Sequence, residues 1–291
     1  MVAFQKYQQF PEYKIINYNM SLPEFKSIFW WEFIHRFTGR MIGVVFLIPF
    51  LWFYFTKKLK PRLLRQLLGV FLLGGLQGFI GWLMVASGLV DRPEVSHYRL
   101  ATHLITAFIT FGYILWIMLD IIYENVQQQP VKDLRKWSRW IFAVVLVQIV
   151  YGGFVAGLKA GLVYNTWPKM GNAWFPDTII ALKPVWVNFL ENKNGVQFMH
   201  RYIAYLVLIL ILLAFAKFKD AGLERAQKRA IYMLASIVLV QFTLGVLTLV
   251  FSVPLLLGVL HQLGAFFLFG SAVYLLHTSR PRQKSFIEPS T

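Results

Sequence analysis

Four histidines are placed where they can do chemistry. His35, His103, His200 and His261 each fall within the first two turns of a long apolar stretch, and they form two pairs, one in each half of the chain. A neutral imidazole at membrane depth is costly unless it is partnered. Two helices that each offer one histidine at matched depth can hold a haem iron from both faces. The chain contains no cysteine, which excludes disulfides, thiolate-bound iron–sulfur clusters and thioether-linked haem and leaves histidine as the soft-metal ligand. The pattern points to two bis-histidine haems, one per half, near one face of a membrane.

Charged neighbours sharpen this. Arg36 and Arg201 directly follow a ligand candidate, Arg40 lies one turn beyond Arg36, and Arg99 lies one turn before His103. Haem propionates are carboxylates, for which arginine offers a charged bidentate fork; the alternative is that these side chains snorkel to lipid headgroups. Glu32, His35 and Arg36 stand at i, i+3 and i+4 and share one helix face. An intrahelical Glu32–Arg36 pair is the bland reading of that spacing. Three residues before His200, however, stands the neutral Gln197. A carboxylate at a semi-apolar site can serve in acid–base work, so the asymmetry suggests chemistry in the first half and a redox cofactor in the second.

Long apolar helices must carry these residues. The chain has 291 residues, 57% hydrophobic and 14% charged, with a mean hydropathy of +0.56, a composition of membrane proteins. Seven spans are expected, at 28–55, 65–90, 97–122, 138–158, 196–216, 229–251 and 255–277. No cleavable signal peptide or transit peptide is legible in residues 1–27, which favours a bacterial inner (plasma) membrane over the mitochondrial inner membrane. The net charge of +16 clusters between alternate spans: Lys57, Lys58, Lys60, Arg62 and Arg65; then Lys132, Arg135, Lys136 and Arg139; then Lys217, Lys219, Arg225, Lys228 and Arg229; with Arg280, Arg282 and Lys284 after the last. Positive residues mark the cytoplasmic side, so the N-terminus is expected outside and the C-terminus inside. The charge is topological, with an attraction for anionic membrane lipid, and is no nucleic-acid footprint. Trp30, Trp31, Trp137 and Trp140 read as interfacial belt residues, and His97 and His277, at span ends, as interfacial too.

The halves repeat. His35-Arg36 matches His200-Arg201, Gln77-x-x-x-Gly81 matches Gln241-x-x-x-Gly245, and His103 matches His261, at offsets of 165, 164 and 158 residues. The second half has a leading span with its own Gln148-x-x-x-Gly152 and a Gly-rich outer loop, and the first half has no such span. The expected fold is an all-α polytopic membrane protein of two tandem pseudo-repeated four-helix bundles, the first with three helices here and a further leading helix expected ahead of it. The expected units are an extracytoplasmic segment (1–27), an N-terminal bundle (28–122), a cytoplasmic linker (123–137), a C-terminal four-helix bundle (138–277) and a cytoplasmic tail (278–291).

Several motifs resemble one family. They are the run Pro23 to Arg36, the run Val95 to His103, the loop Gly157 to Gly171, Gln197 to Arg201, and Leu260-His261-Gln262. Together, in this order, they are similar to haem A synthases of the cysteine-free mitochondrial and proteobacterial branch. The resemblance implies an oxidoreductase that converts a methyl group of haem O to a formyl, by successive hydroxylations, giving haem A for cytochrome oxidase. It implies His35 and His103 around the iron of the substrate haem O with Glu32 beside it, and His200 and His261 as ligands of a haem b cofactor. Implied partners are haem O synthase, an unidentified electron donor and the cytochrome oxidase assembly machinery; a homo-oligomer is left open. The rival from another class is a bis-histidine dihaem electron carrier like cytochrome b561, which would normally stagger its haems across the bilayer. A transporter would need a broken midplane helix, and none is evident.

Overall fold

The computed structural model describes residues 1–86, 94–123, 131 and 133–280. Most of the expected linker 123–137, nearly all of the tail 278–291, and the part of span two beyond residue 86 lie outside the described residues. Among the described residues the protein is helical, with one isolated bridge, Met170 to Ala173, in a loop. It divides into two compact units, Met1–Thr110 and Phe111–Thr291.

In the first unit, α1 (Val2–Tyr7) and α2 (Pro11–Ile15) are short, and α3 (Leu22–Phe55) is the first apolar helix. It begins six residues before the expected span because Ser21 and Glu24 form a reciprocal capping box and Pro23 sits in its first turn. His35 is therefore deeper along its helix than expected, thirteen residues from Leu22 instead of within two turns. α4 (Pro61–Ala86) packs on α3. α5 (His97–Ile122) occupies the expected third span and crosses the unit boundary at Thr110.

The second unit contains α6 (Leu134–Gly157), a loop with three short 3₁₀ turns and α7 (Asn188–Glu191), then α8 (Lys193–Phe218), α9 (Arg225–Val250) and α10 (Leu255–Thr278). α6 packs on α8, α8 on α9, α9 on α10 and α10 on α6, closing a four-helix bundle. Each helix begins within four residues of its expected span. Ile141, Val145, Ile211, Ile231, Leu234, Val238 and Phe269 are fully or nearly buried in this bundle, the apolar stripe that defines a helix's inner face. The α9–α10 turn is short. Ser252 and Val253 both take left-handed φ, 60° and 59°, the Val253 amide donates to the Thr248 carbonyl at 2.7 Å, and Pro254 caps α10. A β-branched residue in that conformation is unusual and is held here by the neighbouring chain.

His97 and His277 are buried, 7% and 0% exposed, and do not face an interface. His277 Nε2 lies 3.0 Å from Asp120 Oδ1, Arg280 bonds the same carboxylate, and Trp116 packs edge-on against the imidazole at 4.9 Å. A histidine in a span's last turn thus closes an inter-helix polar cluster, because a buried carboxylate must be met by donors. Trp30, Trp31 and Trp140 are exposed, 55%, 73% and 60%, as belt residues would be.

Candidate functional site

In the second unit His200 of α8 and His261 of α10 face one another. Their ring centroids are 6.5 Å apart and their planes cross at 83°. A metal-to-imidazole nitrogen bond is about 2 Å, and about 1 Å more separates that nitrogen from its ring centre, so two axial imidazoles on one iron stand roughly 6 Å apart. The pair fits a bis-histidine haem. Among the described residues no group of three or more His, Cys, Asp or Glu is assembled to hold a bare metal ion. Two imidazoles alone do not complete a zinc shell, but they do complete the shell of an iron already held by a porphyrin.

The backbone makes room for these rings. A Cβ on Gly245 would lie 2.9 Å from His261 Cε1, and one on Gly152 would lie 3.5 Å from His200 Cε1. Gln148 Nε2 is 3.2 Å from His200 Nδ1, and Gln241 Nε2 is 3.1 Å from His261 Nδ1 and donates to the His261 carbonyl at 2.9 Å. The Oε1 atoms of both glutamines are buried and have no partner among the described residues. The glycines let the imidazoles lie against the helix backbone with their rings turned toward each other, which suits a haem held between them.

The first unit repeats half of this pattern. His103, half-buried on α5, lies under Gly81, where a Cβ would come within 2.9 Å of Cε1. Gln77 Nε2 donates to the His103 carbonyl at 3.1 Å and lies 3.4 Å from its Nε2. His35 is exposed on α3. On the same face Glu32 and Arg36 form an ion pair and are both exposed. Arg40 is exposed one turn further along, and Arg99 is half-buried one turn before His103.

Arg201 behaves differently from Arg36. It is 9% exposed and turns to the outer loop, donating to the Tyr164 carbonyl at 2.5 Å and to the Thr166 carbonyl at 2.9 Å. Its Nε has no partner among the described residues. Gln197, 2% exposed, donates to the same Tyr164 carbonyl at 3.1 Å. Asn165 ties the loop to α9 through the Leu249 carbonyl at 2.8 Å. The i, i+3, i+4 face is therefore present in both units, but its charged member is paired within the helix in one and spent on a loop in the other. Sequence reading marked the glutamines as repeats and missed what they touch. The available signal was that each recurs four residues before a glycine.

Comparison with known proteins agrees with this geometry. The family described as cytochrome oxidase assembly protein matches residues 1–273. A heme A synthase of Flavobacterium psychrophilum is 50% identical over 279 residues, which cover 94% of this chain and 82% of that protein. The heme A synthase of Flavobacterium johnsoniae is 47% identical, with the same 94% and 82% coverage. That of Parvibaculum lavamentivorans is 44% identical over 275 residues, 94% of this chain and 78% of that protein. By these matches the chain, with seven long apolar helices among its described residues, belongs to the haem A synthase family of cytochrome oxidase assembly proteins.

Proposed function

We propose that this multi-pass membrane protein is a haem A synthase of a bacterial plasma membrane, an oxidoreductase that converts a methyl group of haem O to a formyl. The observation that carries the reading is the His200–His261 pair, 6.5 Å between ring centres, in a chain up to 50% identical to proteins named for that activity. His200 and His261 hold haem b. When bound, haem b supplies one-electron transfer. His35 and His103 hold the substrate haem O by its iron, and Arg36, Arg40 and Arg99 offer guanidinium forks for its propionates. Arg201 contributes mainly by fixing the outer loop beside the second site.

Two hydroxylations of one methyl carbon give a geminal diol, and its loss of water to the formyl needs a proton taken from one hydroxyl and given to the other as it leaves. Glu32, one of two carboxylates in α3, pairs with Arg36 on the same face as His35. It carries that proton through its carboxylate oxygens. Gln197, at the corresponding place, cannot do so, and its amide serves as a loop tie. An electron donor serves the hydroxylations, haem O comes from a haem O synthase, and haem A passes to cytochrome oxidase assembly.

The test is pigment analysis of membranes that express this chain with a supply of haem O. Haem A together with haem B is expected. Haem B alone, with haem O unchanged, would overturn the reading in favour of a dihaem electron carrier.

A further inference from the structure

Three helices carry Gln-x-x-x-Gly: Gln77 and Gly81 in α4, Gln148 and Gly152 in α6, Gln241 and Gly245 in α9. Residues four apart share a helix face, and each of these faces meets a histidine on a different helix. The amide nitrogens of Gln148 and Gln241 lie 3.2 and 3.1 Å from Nδ1 of His200 and His261, and that of Gln77 lies 3.4 Å from Nε2 of His103. The paired glycines press the same rings at Cε1, with a Cβ at 2.9 Å for Gly81, 3.5 Å for Gly152 and 2.9 Å for Gly245. Other helical glycines lack this relation: a Cβ on Gly74, Gly75, Gly78 or Gly258 would meet nothing within 4 Å. All three glutamines also keep a buried Oε1 without a partner among the described residues, a cost that packing alone does not explain.

We infer that Gln-x-x-x-Gly is a histidine-setting device, in which the glutamine amide fixes the rotation of a haem-ligating imidazole and, at Gly81 and Gly245, the glycine opens the space its ring occupies. Gln77, Gln148 and Gln241 are thus positioning residues, acting on haem through the histidine. This rests on the assignment of those histidines as haem ligands. The physical basis is that a ligand imidazole is free to turn about its Cβ–Cγ bond, and its plane governs how its orbitals overlap iron. A polar group held beside the ring fixes that plane and changes the basicity of the ring. A second consequence separates the glycines. At 2.9 Å a methyl on Gly245 displaces His261, whereas at 3.5 Å a methyl on Gly152 is in ordinary contact with His200.

The test uses the full chain purified with haem b and reads haem affinity, midpoint potential and the low-spin ferric EPR signal. That signal reports the angle between the two axial ring planes, which cross at 83° in this structure. Gln241→Leu is expected to lower haem b affinity by about 10–100-fold, shift the potential, and change the EPR anisotropy. Gln241→Glu, which keeps a polar group at the ring edge, is expected to restore affinity and to move the potential in the reducing direction. Gly245→Ala is expected to change the EPR signal more than Gly152→Ala, and Gly258→Ala less than either. If Gln241→Leu does not accumulate, Gln241→Glu and the glycine series decide the matter alone. The inference is overturned if Gln241→Leu and Gly245→Ala match wild type in potential and EPR, or if Gly258→Ala disturbs the signal as much as Gly245→Ala. His261→Ala distinguishes the underlying reading: an intact low-spin signal in that variant refutes ligation by His261, while loss of the signal upholds it whatever the glutamine variants do.

Discussion

Glu32-x-x-His35-Arg36 and Gln197-x-x-His200-Arg201 are the same helical pattern put to different use. In the second unit Gln197 and Arg201 are buried and both reach the Tyr164 carbonyl, so the face is closed by its own loop. In the first unit Glu32 and Arg36 are exposed and satisfy each other. A buried guanidinium needs acceptors wherever it finds them, and in the second unit it finds them in the backbone. An exposed pair is only weakly committed and remains available to a substrate. On the proposed reading, the closed face belongs to the site that keeps its cofactor, and the exposed pair belongs to the site that takes up and releases a substrate.

The comparison can be broken most directly at the histidines. His200→Ala or His261→Ala should remove haem b entirely and with it all haem A formation, whereas His103→Ala should abolish conversion of haem O and leave the haem b spectrum in place. Equal loss of haem b in both sets would show that the two sites are not distinct. Next in size is Glu32→Gln, expected to lower haem A production by about 100-fold or more, as removal of a general acid–base group does. Unchanged production in that variant would leave Glu32 as no more than Arg36's partner.

Arg201→Leu gives up hydrogen bonds from a charged donor, each worth about 1.5–3 kcal/mol. Faster protease cleavage within residues 158–192, with a lower thermal midpoint for haem b release, should follow. The smallest effect belongs to Arg36→Leu, which should change thermal stability by no more than about 1 kcal/mol, the range of exposed ion pairs. A larger loss would mean that the first unit's face is as firmly committed as the second's.

The apolar helices were largely legible because 20-residue hydrophobic runs and clustered positive charge follow from the cost of placing polar groups in lipid. The start of α3 lies ahead of the apolar run at 28–55 because helix starts are set by capping, and Ser21-x-x-Glu24 is the signal for it. The facing of His200 and His261 was legible from the paired pattern in the two halves, and the family from the motif runs, Pro23 to Arg36 foremost. Arg201's destination was not legible, since backbone carbonyls have no residue type. Nor was the Asp120–His277–Arg280 cluster, whose members are up to 160 residues apart. Residues that far apart are paired only by the packing of helices, which no local pattern encodes.

The tight α9–α10 turn has a consequence for tolerance to change. Gln241 and His261 lie on opposite sides of three residues, Ser252 to Pro254, two of them in a conformation that admits little adjustment. A residue added here has to be taken up by that turn or by α10, and within the helix it would turn His261 by about 100° and shift it by about 1.5 Å, carrying the imidazole out of phase with the amide and glycine that meet it. The turn acts as an indexing pin between two cylinders, so its length is expected to be far less permissive than its side chains.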